Sequence, residues 1–275
     1  MLFKMLKQAG TYWVEDDAAQ MGAALAYYML FSFTPLLIMA IAVAGLIYGE
    51  EAARGRIVEL IGDFIDADSA KAVQTMLENF RQPPANIIPA VIGIVSLVYG
   101  SLGVFRQLRE SLHRIWRLNP PASQGIFAEM IKSYLLAFVM ALLTIIFILL
   151  LLTTSTFLTL VLRWSGQQAT QEGWTWRGGE FVLSTILVTM LFAFTFRFMS
   201  DGRVRYRHVW VGAVVGAFLF TAGKTLIGYY LGQVHLASAY GVAGSLVVFL
   251  TWVYYSSQIF FFGAEVVRES LEKSK

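Results

Sequence analysis

Cysteine is absent from all 275 residues, which excludes a disulfide framework, a thiolate nucleophile and any cysteine metal site. Histidine is nearly as scarce, with only His113, His208 and His235. The topology read below separates the first two from the third, so they are not expected to form one metal site. No HExxH, Walker loop or dinucleotide fingerprint occurs, and the carboxylates show no pairing at a defined catalytic spacing. A nuclease needs clustered metal-binding carboxylates or a histidine and lysine constellation, and the chain offers neither. The expectation is therefore a protein that is not an enzyme, with no cofactor, no metal and no nucleic-acid partner. An N-terminal cleavable signal is not expected either. Lys4 and Lys7 are followed by Glu15, Asp16 and Asp17 before any long apolar run, whereas a signal places an apolar stretch directly after its basic residues.

Charge is the other scarcity. Asp, Glu, Lys and Arg make up 14% of the chain and apolar residues 57%, against about 25% and about 45–50% in soluble domains. Such an excess of apolar side chains cannot be buried in one water-soluble core of this size. Lipid is their expected solvent. Spanning takes about 20 apolar residues, and walking from charge to charge finds six stretches long enough, near 20–48, 86–105, 133–162, 181–198, 208–232 and 239–265. The fold class expected is an all-α polytopic membrane protein, one membrane domain over 1–275.

The loops orient it. The loop after the first span is acidic, the next is basic through Arg106, Arg109, Arg114, Arg117 and Lys132, and the third is nearly balanced. The fourth holds Arg197, Arg203, Arg205 and Arg207 against Asp201 alone, and the fifth, around His235, has no formal charge. Basic loops alternate with acidic or neutral ones, and a basic start puts both ends in the cytoplasm. Residues 1–17 read as a short interfacial helix with Leu2, Phe3, Met5, Leu6, Tyr12 and Trp13 on its apolar face; a disordered tail is the plain alternative. The loop 50–84 carries apolar residues at helical spacing in two runs, stopped by Pro83 and Pro84. It reads as a pair of amphipathic helices on the outer face, or else as a spacer.

Several residues break the apolar pattern. Pro35 removes a backbone donor within the first span, where a kink is expected, with Ser32 and Thr34 near the freed carbonyls. Lys224 lies past the middle of the fifth span, where an ammonium costs on the order of 2.5–3.5 kcal/mol at mid-bilayer. It can bind an anionic group in a cavity, or it can snorkel to the outer headgroups. Gly212, Gly216, Gly223, Gly228 and Gly232 on the same span suit close helix packing. Glu265, Arg197, Arg106 and Arg109 all fall near the inner ends of spans. A carboxylate ringed by guanidinium groups can clamp a substrate or gate a path; it can equally be a static ion-pair network. Trp116, Tyr134, Trp164, Trp174, Trp176, Tyr206 and Trp210 sit near span ends and read as an aromatic belt.

A family resemblance runs through nearly the whole chain. Gly22 to Tyr28 (GAALAYY), continuing to Ser32-Phe-Thr-Pro35, resembles the opening span of the YihY/BrkB family of bacterial membrane proteins. Tyr99 to Gly103 (YGSLG), the Leu112–Trp116 stretch and the last block from Ser238 to Glu265 are similar to the same family. The resemblance implies six spans in a bacterial inner membrane. It also implies a role in transport or handling of envelope lipids, with membrane lipids as partners. A ribonuclease label once attached to the family finds no support in these residues. Two functions are expected on this reading: translocation of an anionic or amphipathic envelope molecule, with Lys224, Glu265, Arg197, Arg106 and Arg109 as substrate-binding candidates, or a scaffold holding envelope proteins through the outer loop.

Overall fold

The structure, a computed structural model, describes residues 2–64, 74, 103–118, 135, 139–140, 142–150, 153, 174–234 and 244–274. All but the end of the expected second span, much of the third, the second half of the 50–84 loop and the segment around His235 lie outside them. Among the described residues the chain is helix and turn, with no strand. The helices are α1 (Leu2–Glu15), α2 (Ala18–Tyr48), α3 (Glu50–Phe64), α4 (103–115), α5 (142–150), α6 (Trp174–Met199), α7 (Tyr206–Val234) and α8 (Gly244–Glu272).

The α6 helix shows why lipid must surround the bundle. Val182, Ile186, Met190, Phe194 and Phe198 recur every fourth residue along its outer face, all exposed. Its inner face carries Val188, Phe192, Phe196 and Met199, all buried. A helix apolar on both sides belongs in a large core or in a membrane. Hydroxyls on these helices donate to their own backbone, as lipid demands: Thr189 to the Thr185 carbonyl at 2.7 Å, Thr221 to Ala217 at 2.9 Å and Ser257 to Val253 at 2.7 Å. Among the described residues, two helical stretches are long and apolar enough to cross a membrane by length and composition, Phe181–Met199 and Leu246–Glu272. The α2 helix has 31 residues, about 46 Å at 1.5 Å per residue, and it runs through Pro35 without a break. Near that point Ser32 Oγ donates to the Met29 carbonyl at 3.3 Å.

Turns then set the packing. Asp17, at φ 55°, takes the left-handed conformation that turns α1 into α2, a position short polar residues tolerate. Gly49, at φ 82° and ψ 147°, takes an extended positive-φ conformation open to glycine between α2 and α3. The α6–α7 hairpin closes over residues 200–205, where Arg197 Nη1 donates to the carbonyls of Gly202 and, at 2.6 Å, Val204. The α8 helix is the hub, touching α1, α2 and α7. It runs antiparallel to α7, Gly212 meeting Gly263 and Val267 while Gly223 meets Tyr255 and Ile259. It also runs antiparallel to α2, with Gly22 on Gln258 and Phe33 on Phe249. An added Cβ on Gly212 would overlap the Gly263 carbonyl oxygen, so glycine permits backbone-to-backbone approach there.

One consequence of this pairing is that the start of α2, the ends of α4, α6 and α8, and the start of α7 all gather at one end of the bundle. Cross-contacts fix it: Arg114 with Asp17, His113 with the Met199 carbonyl, and Arg207 with Ser274. Trp116 lies there too, buried and edge-on to Phe196 with ring centroids 5.8 Å apart, its indole N–H donating to the Ala264 carbonyl at 2.9 Å. It is a core residue rather than a belt residue. Its place near a charged loop suggested an interface, but its indole N–H finds a carbonyl inside the bundle, which makes burial cheap.

Candidate functional site

At this end the amphipathic α1 lies against the last turns of α8. Ala9 is fully buried, and Trp13 packs on the main apolar cluster. Where α1 turns into α2, Asp16 is drawn inward to meet Arg268, whose side chain is only 5% exposed. Arg268 Nη1 donates to Asp16 Oδ2 at 2.6 Å, and Arg268 Nε donates to Glu272 Oε1 at 3.1 Å. Its guanidinium plane sits 3.9 Å from the centroid of the Tyr12 ring, within the range of a cation–π contact. The Tyr12 hydroxyl donates to the other oxygen of Glu272. That bond, helped by burial, holds the Tyr12 phenol above the usual tyrosine range. One guanidinium thus ties the N-terminal helix to the last helix.

Glu265 lies one helical turn before Arg268 and is completely buried. Its Oε2 is 3.6 Å from Arg268 Nη1, a charge contact beyond hydrogen-bond length, and neither carboxylate oxygen has a hydrogen-bond partner among the described residues. Arg117 approaches the cluster from beyond α4, 4.0 Å from Asp16 Oδ1, and is largely exposed. Three carboxylates (Asp16, Glu265 and Glu272) therefore share one buried guanidinium.

The other arginines expected near Glu265 have their own partners. Arg109 Nη2 pairs with Asp201 Oδ2 at 2.8 Å, tying α4 to the α6–α7 turn. Arg106 pairs with Glu110 at 3.2 Å on the surface of α4. Arg197 binds the two turn carbonyls and stacks 4.5 Å from the Tyr206 ring centroid. His113 lies 3.6 Å from Asp201 and 2.9 Å from the Met199 carbonyl oxygen, and the shorter contact identifies Nε2–H as the donor. Burial pushes the His113 pKa below the usual histidine range. Asp16 and Arg268, the core of the cluster, escaped the sequence reading. Arg268 had a signal, since 265, 268 and 272 share one helix face. Asp16 had none.

Lys224 stands apart from this cluster, half-buried on α7. Its neighbours on the same helix face are Phe220, Thr221 and Ile227, and all three pack inward. Leu226, about 200° further round the helix, is exposed. The residue belongs to the inner half of the helix circumference rather than the lipid-facing stripe of Val214 and Phe218.

Fold and site together define a helical membrane protein whose first and last helices are joined by a buried charge cluster. Residues 11–275 match the model of the family described as virulence factor BrkB, and the chain belongs to that family. Relatives include UPF0761 membrane proteins of Alcanivorax borkumensis (25% identical over 92% of this chain and 57% of the relative) and Pseudomonas aeruginosa (27% over 92% and 59%). A third, from Legionella pneumophila, is 25% identical over 93% of this chain and 59% of the relative. The chain spans well under two thirds of the length of these curated relatives. No solved structure matches it.

Proposed function

We propose that this chain crosses a bacterial inner (cytoplasmic) membrane six times, both ends in the cytoplasm, and moves an anionic or amphipathic envelope molecule of the lipid or lipid-linked kind. The topology is supported by charge. The bundle end that gathers both chain ends also carries Arg106, Arg109, Arg114, Arg117, Arg197, Arg203, Arg205 and Arg207, and such ends stay on the cytoplasmic side. The transport reading is carried by Lys224: an ammonium on the inward half of a long apolar helix is a recognition point for phosphate or carboxylate. This reading leaves Arg106, Arg109 and Arg197 out of the substrate site: Arg109 and Arg197 hold the α6–α7 turn, and Arg106 pairs with Glu110 on the surface of α4. Enzymatic chemistry stays outside the proposal, since the sequence carries no HExxH, Walker or dinucleotide motif.

The test is native mass spectrometry of the gently extracted protein beside Lys224→Ala and Lys224→Arg. An anionic lipid retained by the parent and by Lys224→Arg, and lost from Lys224→Ala, is the expected result. The same lipid mixture on all three would refute Lys224 as a binding point. A second reading, a scaffold for envelope-assembly partners, is favoured by α3. Ile57 of that helix is buried in the second apolar cluster while Glu51, Arg56 and Glu59 face outward, leaving a charged helical face.

A further inference from the structure

We propose that Glu265 binds and releases a proton at the end of a polar seam between α2 and α8. The seam starts from helical spacing. Gln258 and Glu265 are seven residues apart, two turns on one face of α8 and about 10 Å along its axis. Against this face α2 carries Ala18, Gly22 and Ala26, one turn apart and all buried. The Gln258 amide packs directly on the Gly22 backbone, in space that any Cβ there would occupy. Small residues on one helix thus make room for polar ones on the other.

All four polar side-chain atoms of the pair are buried without a hydrogen-bond partner among the described residues: Glu265 Oε1 and Oε2, and Gln258 Oε1 and Nε2. Buried polar atoms in proteins are almost always partnered, and a buried carboxylate without hydrogen bonds is the least tolerable case. The nearby cation does not rescue it. Arg268 gives its hydrogen bonds to Asp16 and Glu272, leaving Glu265 at 3.6 Å. Among the described residues, the charged and titratable groups around this cluster are Tyr12 of α1, Asp16 from the α1–α2 turn, Arg117 beyond α4, and Arg268, Glu269 and Glu272 on the helix of Glu265 itself. From α7, His208 is turned to Ser270, its Nδ1 2.8 Å from Oγ. A proton on Glu265 leaves Asp16 and Glu272 as the anions matched to Arg268 and Arg117. A metal cation would instead sit against the Arg268 guanidinium and be repelled. The step is a bare proton exchange: hydronium at the arginine-rich end gives a proton to one carboxylate oxygen and leaves as water, and the same oxygen later returns the proton to water. It does not depend on what the protein carries.

The experiment is infrared difference spectroscopy of the full chain in lipid bilayers, neutral against alkaline, for the parent and Glu265→Gln. The parent is expected to show a carboxylic-acid C=O band at neutral pH that bleaches on alkalinisation and is missing in Glu265→Gln. The variant should keep the parent's melting temperature, because an amide mimics the neutral acid. If the variant does not fold, the parent labelled isotopically at its glutamate carboxyls decides alone: a band that bleaches supports the site, and no band overturns it. A missing acid band together with stability that rises with sodium would also overturn it, assigning the seam to a metal cation.

Discussion

Replacing Arg268 by methionine keeps most of the side-chain volume and removes the only charge among the described residues that the buried Asp16 carboxylate meets at hydrogen-bond distance. Asp16 is left with Arg117 at 4.0 Å, while its own side chain is 12% exposed. Removing one partner of a buried pair costs about 3–5 kcal/mol. At about 2–4 °C per kcal/mol for a chain of this size class, the apparent melting temperature in detergent should fall by about 6–20 °C. Asp16→Asn should be milder, about 1–3 kcal/mol for one hydrogen bond to a charged group. Arg268 would still hold Glu272 at 3.1 Å and stack on Tyr12. The double variant, with both charges gone, should recover part of the loss of Arg268→Met, because no uncompensated charge stays buried. Thermal unfolding followed by tryptophan fluorescence measures all three. The reasoning fails if Asp16→Asn is as damaging as Arg268→Met, or if the double variant melts no higher than Arg268→Met alone.

Two further outcomes follow from the packing. Gly212→Ala should destabilise by about 1–3 kcal/mol through overlap with backbone and Val267. Gly178→Ala, with nothing within 4 Å of the new methyl, should be neutral or gain up to about 1 kcal/mol of helix propensity; equal melting shifts in the two would contradict the α7–α8 contact. His113, held neutral by burial with its pKa below the usual range, should make stability pH-dependent. Below about pH 6.5, the ordinary histidine value, the unfolded chain takes up a proton before the folded one does, so stability falls as pH drops through that window. His113→Gln should remove this share of the acid sensitivity in melting curves collected across mildly acidic pH, and an unchanged slope would show that His113 is not its source.

The helical membrane character was legible from the sequence because hydropathy is a local and additive property. The apolar runs of α6 and α8 announce themselves whatever they pack against, and the family is written in local blocks such as the one ending at Glu265. Glu265 and Lys224 also stood out, since a charge in an apolar run is visible without any partner. Partner choice was not legible. Asp16 and Arg268 are 252 residues apart, and nothing near Asp16 distinguishes it from Glu15 or Asp17. Only the left-handed turn at Asp17 and the docking of α1 on α8 point Asp16 inward and leave Asp17 exposed to Arg114. In the same way three arginines near span ends looked equivalent in sequence, yet Arg197 closes a turn, Arg109 ties two elements together and Arg106 stays on the surface. The chain by itself determined the solvent each segment prefers. The tertiary structure decided which charges are neutralised and which are not, because a pairing energy depends on distance and burial, and both exist only once the helices meet.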